Sequence, residues 1–306
     1  MAPEGGPPGY VVIANAAAGS SERAVIHQVA GRIAEAAPTQ VVWAEDEGSF
    51  DATIEALEGR RLVIAGGDGT IHVALNRLAA MDALGAPVAI VPAGTGNDLA
   101  RGIGLGTDPQ AAAAIAVDGT SRWLAAIEVS GGELAHNNVH VGLGLVAAER
   151  GSDWKPRLGR LAYPVATVVE GVRYDGLEVA VEVDGDPVFE GRALAVLVLL
   201  GPSMGGGIEV VDDVEVDDPH LDVVVVEQAG GAARVALAYS ALRDRLADRP
   251  GVGRWTATRV ALRTSRELRG DVDGEIRSWA GGVDLRVRPR TWRVIGPRTE
   301  LRSSTR

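Results

Sequence analysis

The first part of the chain alternates short, uniformly apolar runs with longer stretches whose apolar positions recur at helical spacing. Tyr10–Ala14, Thr39–Ala44, Leu62–Ala65 and Val88–Val91 are the apolar runs, short enough for strands buried on both faces. Between them, Ser21 opens a helix with apolar positions at helical spacing from Arg23 to Ala37, and Phe50–Leu57 and Ile71–Ala80 read as two more. Asn97–Ile103 and Pro109–Val117 follow the fourth run as helical segments. Strands alternating with helices predict a parallel sheet covered on both faces. Ligands on such sheets bind outside the carboxyl ends of the strands.

After Arg122 the pattern changes. Leu124–Val129, Asn138–Val141, Leu177–Val183, Ala193–Leu200, Leu221–Glu227, Thr258–Leu262 and Val283–Val287 read as strands. Only Gly159–Arg173 and Ala232–Ala247 interrupt them with a helical pattern. Glu178, Glu182 and Asp184 alternate with Val179, Val181 and Val183, the period of a half-exposed antiparallel strand, and Asp184-Gly185 supplies a hairpin turn. The expected organisation is an α/β domain over residues 9–125 and a β-rich domain over 126–290, with no internal repeat.

Two glycine-rich strings follow the third and fourth runs: Gly66-Gly67-Asp68-Gly69-Thr70 and Pro92-Ala93-Gly94-Thr95-Gly96-Asn97-Asp98-Leu99-Ala100-Arg101. Each reads as a strand, a tight turn and a helix start. Glycines let backbone approach a ligand without an intervening Cβ. Turn and helix-start N–H groups suit phosphate oxygens. A carboxylate within such a loop repels phosphate unless a cation lies between them, so Asp68 points to Mg²⁺. No Gly-Lys-Ser/Thr follows, which excludes the P-loop, and neither string is the dinucleotide G-x-G-x-x-G.

The two strings together resemble the catalytic domain of the diacylglycerol kinase and bacterial lipid kinase family. The first alone is shared with NAD kinases and phosphofructokinase-like enzymes; the segment from Gly94 to Arg101 favours the lipid kinases. The resemblance implies an α/β N-terminal domain with a parallel sheet of the phosphofructokinase/NAD-kinase kind, plus a C-terminal β-sandwich domain, with a substrate cleft between them. It also implies that residues 291–302 pack back on the first domain. Gly66, Gly67, Asp68, Gly69, Thr70, Gly94, Thr95, Gly96, Asn97 and Asp98 would then hold ATP, with Mg²⁺ on Asp68. Asp271-Val272-Asp273-Gly274-Glu275 resembles the family's Asp-Gly-Glu segment, which implies Glu275 as general base and Asp273 as its orienting or metal-linked neighbour. By itself that string is an acidic β-turn. Asn15, in Asn15-Ala16-Ala17-Ala18-Gly19, resembles the family's nucleotide-approaching Asn-Pro-x-x-Gly; it is equally an ordinary turn residue at a strand end. Ala16 in place of proline predicts a less rigid loop. Gly205-Gly206-Gly207, with Asp212, Asp213, Asp217 and Asp218 after it, resembles a family loop in which the residue matching Asp218 holds a structural metal; the alternative is a solvated acidic loop.

The match departs at three places. Acidic Glu45, Asp46 and Glu47 stand where relatives often carry a threonine beside the nucleotide, Val73 stands where many have Glu, and Leu199-Leu200-Gly201 lacks an Asn before the glycine run. His72 follows the first loop directly and is assigned no chemistry. His136 and His140, four apart in a strand-like stretch, do not read as metal ligands.

Composition narrows the partners. The 306 residues suffice for two domains, and 46% apolar with 23% charged content is that of a globular chain. A net charge of −11 excludes non-specific nucleic-acid binding and strong electrostatic docking on an anionic membrane. The absence of cysteine excludes disulfides and thiol chemistry. The longest apolar run, Ala193–Leu200, is far short of the ~20 residues of a membrane span, and no signal peptide is expected. The expectation is a cytoplasmic, ATP-dependent lipid kinase with diacylglycerol as the first acceptor, touching the bilayer transiently, with a homodimer among the assemblies considered. An NAD-kinase-like enzyme and a nucleotide-binding regulator without turnover are the alternatives.

Overall fold

The structure, a computed structural model, describes residues 7–143, 145, 174–204, 208–209, 219–230 and 250–298. The helices expected at Gly159–Arg173 and Ala232–Ala247, the run Gly205-Gly206-Gly207 and the carboxylates Asp212, Asp213, Asp217 and Asp218 lie outside these residues. The chain forms two compact units, one up to Leu124 together with the segment from Thr291, the other Ala125–Arg290.

The first unit contains β1 (Tyr10–Asn15), α1 (Ser20–Ala34), β2 (Thr39–Ala44), α2 (Glu47–Glu55), β3 (Arg61–Gly66), α3 (Asp68–Ala80), β4 (Ala89–Pro92), α4 (Asp98–Gly102) and α5 (Pro109–Asp118). The four strands pair in the order β2-β1-β3-β4, all parallel. Alternation along each strand sends Tyr10, Val12, Ala14, Val63, Ala65, Ala89 and Val91 to one face, where Ile26, Val29 and Ile33 of α1 and Ala112, Ala113 and Ala116 of α5 cover them. Ile13, Leu62, Ile64 and Ile90 take the other parity, and α3 buries Ile71, Leu75 and Leu78. Burying each such aliphatic side chain contributes about 1.5–3 kcal/mol. Beyond β4, Val88 bridges Val294 in parallel, with Val88 N–H donating to Arg293 O at 3.0 Å and Ile295 N–H to Val88 O at 2.8 Å.

The parallel register fixes where the loops emerge. Asn15 is level with Ala44 and Gly66 with Pro92, so the connections after all four strands leave from one edge of the sheet.

The second unit is antiparallel. Its strands are β5 (Thr120–Val129, which begins in the first unit), β6 (Leu134–Ala135), β7 (Asn138–Gly142), β8 (Leu177–Val183), β9 (Asp186–Leu199), β10 (Ser203–Met204), β11 (Ile208–Glu209), β12 (Leu221–Glu227), β13 (Val252–Ala257), β14 (Arg259–Val272) and β15 (Glu275–Gly296, which ends in the first unit). Nine of them run in the order β13-β12-β9-β7-β14-β15-β5-β6, with β8 pairing both β9 and β14. Because β9 and β14 each pair with β7 along one half and with β8 along the other, they pass from one layer of a β-sandwich to the other. Val139, Val141, Val181, Val196, Val198, Val223, Val225, Leu262 and Val272 fill the core. The β8–β9 turn falls at Asp184-Gly185 as expected, both residues having positive φ, 52° and 96°. Asp184 accepts from Thr258 N–H, Thr258 Oγ1–H and Arg259 N–H at 2.8–3.0 Å. Partial burial works to raise its carboxyl pKa, but these hydrogen bonds win and hold it below the usual range.

β9, β14 and β15 are longer than the apolar runs suggest, and β13 is an addition. In β9 the half facing the core is continuously buried, whereas Asp186–Arg192 is largely exposed and carries charge, so hydrophobicity marks only one half.

Candidate active site

The two glycine loops meet. Ala93 N–H donates to Gly66 O at 3.0 Å, extending the β3–β4 pairing by one residue. Immediately beyond, Gly67 and Gly94 lie back to back: a Cβ on Gly94 would stand 2.4 Å from the Gly67 Cα, and one on Gly67 would stand 3.1 Å from the Gly94 Cα. Only glycine at both positions lets the loops approach this closely.

Asn97 closes the second loop. Its Oδ1 accepts from Gly94 N–H at 3.1 Å and its Nδ2 donates to Gly94 O at 2.9 Å, while its own backbone is left-handed at φ 56°, a region Asn tolerates. The amide is therefore engaged within the loop, and its neighbour Asp98 is buried. Asp68, in the first turn of α3, reaches the start of α4, its Oδ1 accepting from Leu99 N–H at 3.4 Å. Thr70 packs against Gly66, where a Cβ would stand 2.5 Å from Thr70 Oγ1. Gly69, Gly94 and Thr95 remain exposed at the loop surface. Arg101 Nε donates to Gly96 O at 3.3 Å. The sequence-predicted residues of both loops thus form one cross-braced cradle at the carboxyl edge of the sheet.

Asn15 ends β1 on the same edge. Its Oδ1 accepts from Ala17 N–H at 2.8 Å and its backbone carbonyl from Ala18 N–H at 3.1 Å, a tight side-chain-closed turn. Ala16 N–H donates to Ala44 O at 2.8 Å, a bond that a proline could not make. The loop expected to be looser for lack of proline is held by hydrogen bonds instead.

The acidic run after β2 has structural employment. Asp46 caps α2, accepting from Ser49 N–H and Oγ–H, both at 2.8 Å, and these bonds hold its carboxyl below the usual range. Glu47 and Asp51 pair with Arg77 of α3, the second through a two-pronged contact of 2.7 and 2.5 Å. His72 is buried, with its Nε2 3.4 Å from Asn76 Nδ2.

In the second unit, Asp273 and Gly274 form the two-residue turn joining β14 to β15, with positive φ of 52° and 97° as such hairpins require. Glu275 opens β15, its side chain 49% exposed and its Oε2 3.8 Å from Arg277 Nη1. Arg277 itself forks onto Glu133 at 2.7–3.1 Å, and that pairing raises the guanidinium's pKa. The Asp273 carboxylate points inward. Its Oδ2 accepts from His136 N–H at 2.7 Å and its Oδ1 from Asn137 and Asn138 N–H, both at 3.0 Å. It is buried among these donors, so its evident task is to tie the β6–β7 connection to the turn. His136 Nε2 lies 3.6 Å from the same carboxylate.

Asp271 was not among the expected site residues, although it belongs to the same string. It is buried, accepts from Gly274 N–H at 2.7 Å, and lies 3.7 Å from His140 Nδ1. Burial raises its pKa above the usual carboxylate range, with His140 and the Gly274 N–H opposing. Its signal in sequence was only its place two residues before Asp273.

The donor set suits a cation that arrives with phosphate oxygens. Among the described residues no group of three or more His, Cys, Asp and Glu forms a metal cage. Mg²⁺ typically takes one or two carboxylates with substrate phosphates, and Asp68 stands in the loop where such oxygens would sit. Asp218 lies outside the described residues. A cavity of about 340 Å³ in the second unit is lined by residues including Glu182, Arg259 and Arg263, and none of the expected site residues borders it. No helix among the described residues is long and apolar enough to cross a membrane.

Comparison with known proteins gives two family matches. The diacylglycerol kinase catalytic domain matches residues 9–129, and the YegS C-terminal NAD kinase beta sandwich-like domain matches residues 137–296. A diacylglycerol kinase of Bacillus subtilis is 29% identical over 215 residues, 70% of each chain. A diacylglycerol kinase of Staphylococcus saprophyticus is 29% identical over 243 residues, 74% of this chain and 75% of that one. The fold resembles that of a diacylglycerol kinase crystal structure from Bacillus anthracis, with a TM-score of 0.73 at 19% identity, covering 96% of this chain and 99% of that one.

Proposed function

We propose a function from one premise: the chain belongs to the diacylglycerol kinase family, whose catalytic-domain and sandwich-domain matches together span most of its length. It is a lipid kinase, a phosphotransferase with an alcohol group as acceptor. The finer reading is that it moves the γ-phosphoryl group of ATP to a lipid hydroxyl, with diacylglycerol as the acceptor. The observation that supports this most directly is the interlocked pair of glycine loops, whose back-to-back approach at Gly67 and Gly94 leaves an exposed backbone cradle at the sheet's carboxyl edge.

Phosphoryl transfer demands positioning and charge neutralisation more than covalent chemistry from the protein. In this reading the loop N–H groups orient the phosphates, with Thr95 at the exposed surface. Mg²⁺, held through Asp68 and the phosphates, would neutralise charge on the transferred group. The acceptor hydroxyl oxygen bonds to the γ-phosphorus, the bond to the β-phosphate bridging oxygen breaks, and the hydroxyl proton passes to Glu275. Partial exposure suits Glu275 to this role, since it can return the proton to water. Asp273 acts through the hairpin it anchors. Because the acceptor resides in a bilayer, the enzyme makes a reversible contact with the membrane surface, which liposome flotation with and without acceptor lipid measures.

The deciding experiment is transfer of labelled γ-phosphate from Mg-ATP to a panel of lipid alcohols in mixed micelles, with a lipid-free arm containing NAD. The expected result is labelled phosphatidate, with Glu275→Gln lowering kcat by about 10²–10⁴-fold, the usual worth of a general base, while ATP binding persists. Product only in the NAD arm would replace the lipid reading. ATP binding without product in any arm would make the protein a nucleotide-dependent regulator.

A further inference from the structure

Arg23 lies in the first turn of α1, outside every string that the sequence singled out. Its Nε donates to Ala18 O at 3.1 Å and its Nη2 to Ala16 O. One guanidinium therefore spans two carbonyls of the loop that leaves β1. Its carbon stands 4.2 Å from the ring centroid of Trp43 on β2, within cation–π range. His27, one helical turn further along α1, meets the same indole edge-on at 5.6 Å between centroids. The next residue after Trp43, Ala44, accepts the Ala16 N–H. The loop is thus fastened to α1 and β2 together.

We propose that Arg23 is a positioning residue for the donor nucleotide: seated on Trp43, it fixes the Asn15–Gly19 loop in the conformation that receives ATP. This rests on the reading of that loop as part of the nucleotide site. Asn15 closes only the first step of the turn, through Ala17 and Ala18 N–H. Without the guanidinium the carbonyls of Ala16 and Ala18 lose these side-chain donors, and the Asn15 turn and the Ala16 N–H bond to Ala44 O alone hold the loop. A loop held less fully has more conformational freedom to lose each time nucleotide binds. Arg23 holds the order in advance. Lysine cannot replace it, because a single ammonium lacks the planar fork that reaches two carbonyls and lies flat on an indole.

The test measures equilibrium binding of a non-hydrolysable ATP analogue, and steady-state KM for ATP and for acceptor, on the whole protein. Arg23→Ala, Arg23→Lys, Trp43→Leu and Trp43→Phe are compared with wild type, each checked by thermal unfolding. Arg23→Ala is expected to raise the analogue's Kd and the KM for ATP about tenfold, the equivalent of about 1.4 kcal/mol, with kcat and acceptor KM unchanged. Arg23→Lys should recover little and Trp43→Phe most. If Arg23→Ala does not fold, Arg23→Lys and Trp43→Leu carry the same comparison. Folded Arg23 variants with wild-type Kd, whatever their thermal stability, overturn the proposal and leave the kinase reading intact. A wild-type protein that binds no adenine nucleotide overturns both.

Discussion

Replacing Asp273 by alanine offers the sharpest separation of structural from chemical roles in the second unit. The side chain takes three backbone N–H groups, at 2.7, 3.0 and 3.0 Å, all buried. Truncation strands these donors, and a buried unsatisfied donor costs about 1–3 kcal/mol. Alanine must also hold the left-handed φ of 52°, at roughly 1–2 kcal/mol where Asp is more tolerant. Partial access of water to the vacated space offsets some of this, so the expected loss is about 3–5 kcal/mol, a large share of the 5–15 kcal/mol typical of a domain. Asn keeps one carbonyl oxygen for the Asn137 and Asn138 N–H groups and turns an NH₂ toward that of His136, so Asp273→Asn should lose about 1–3 kcal/mol. The assay is urea unfolding followed by tryptophan fluorescence, since Trp255 and Trp279 pack against the sandwich core. Midpoints should fall in the order wild type, Asn, Ala. An Asp273→Ala midpoint equal to wild type, with equal slope, would refute the clamp. Activity adds a second comparison: because Asp273 acts only through the turn, Asp273→Asn that remains folded should keep far more kcat than Glu275→Gln.

Two further outcomes follow from the geometry. Gly94→Ala places a methyl 2.4 Å from the Gly67 Cα, so the two loops must separate, and ATP-analogue binding should fall at least tenfold with little change in the second unit's unfolding; retained affinity would show that the loops need not touch. Asp271 has a raised pKa in the fold, so the native state binds its proton more tightly than the unfolded chain, and its contribution to stability falls as pH rises from the ordinary carboxylate value through the raised one. Asp271→Asn, which can still accept the Gly274 N–H, should therefore be at least as stable as wild type at neutral pH, and its relative advantage should shrink in acid; an advantage that grew in acid would reverse the sign of the argument.

Much of the first unit was legible because its signals are local. A parallel strand buried on both faces is a short apolar run, as in Leu62–Ala65, and the glycines that follow report a backbone approach no other residue permits. The braces between the loops were not legible. Asn97 and Asp68 stand in the sequence as loop residues, and the structure adds that Asn97 binds Gly94 and Asp68 reaches Leu99, 31 positions on. Arg23 and Trp43 gave no signal at all, since an arginine early in an amphipathic helix and a tryptophan late in a strand are ordinary residues until the sheet sets them face to face.

The string Asp271-Val272-Asp273-Gly274-Glu275 shows why a cluster of like residues in sequence need not be a cluster in function. A β-hairpin sends alternate side chains to opposite faces, and a two-residue turn interrupts that alternation. Asp271 therefore lies beside His140 on the neighbouring strand, Asp273 turns into the unit to meet residues 135–137 positions earlier, and Glu275 emerges toward solvent. Apart from the Gly274 N–H that Asp271 accepts, the partners named for these carboxylates lie outside the string. The burial that disfavours charge on Asp271 and the backbone donors that engage Asp273 leave Glu275 as the member of the three most open to a substrate. In the proposed reading, the turn that separates them is what presents Glu275, and not its two neighbours, as the base.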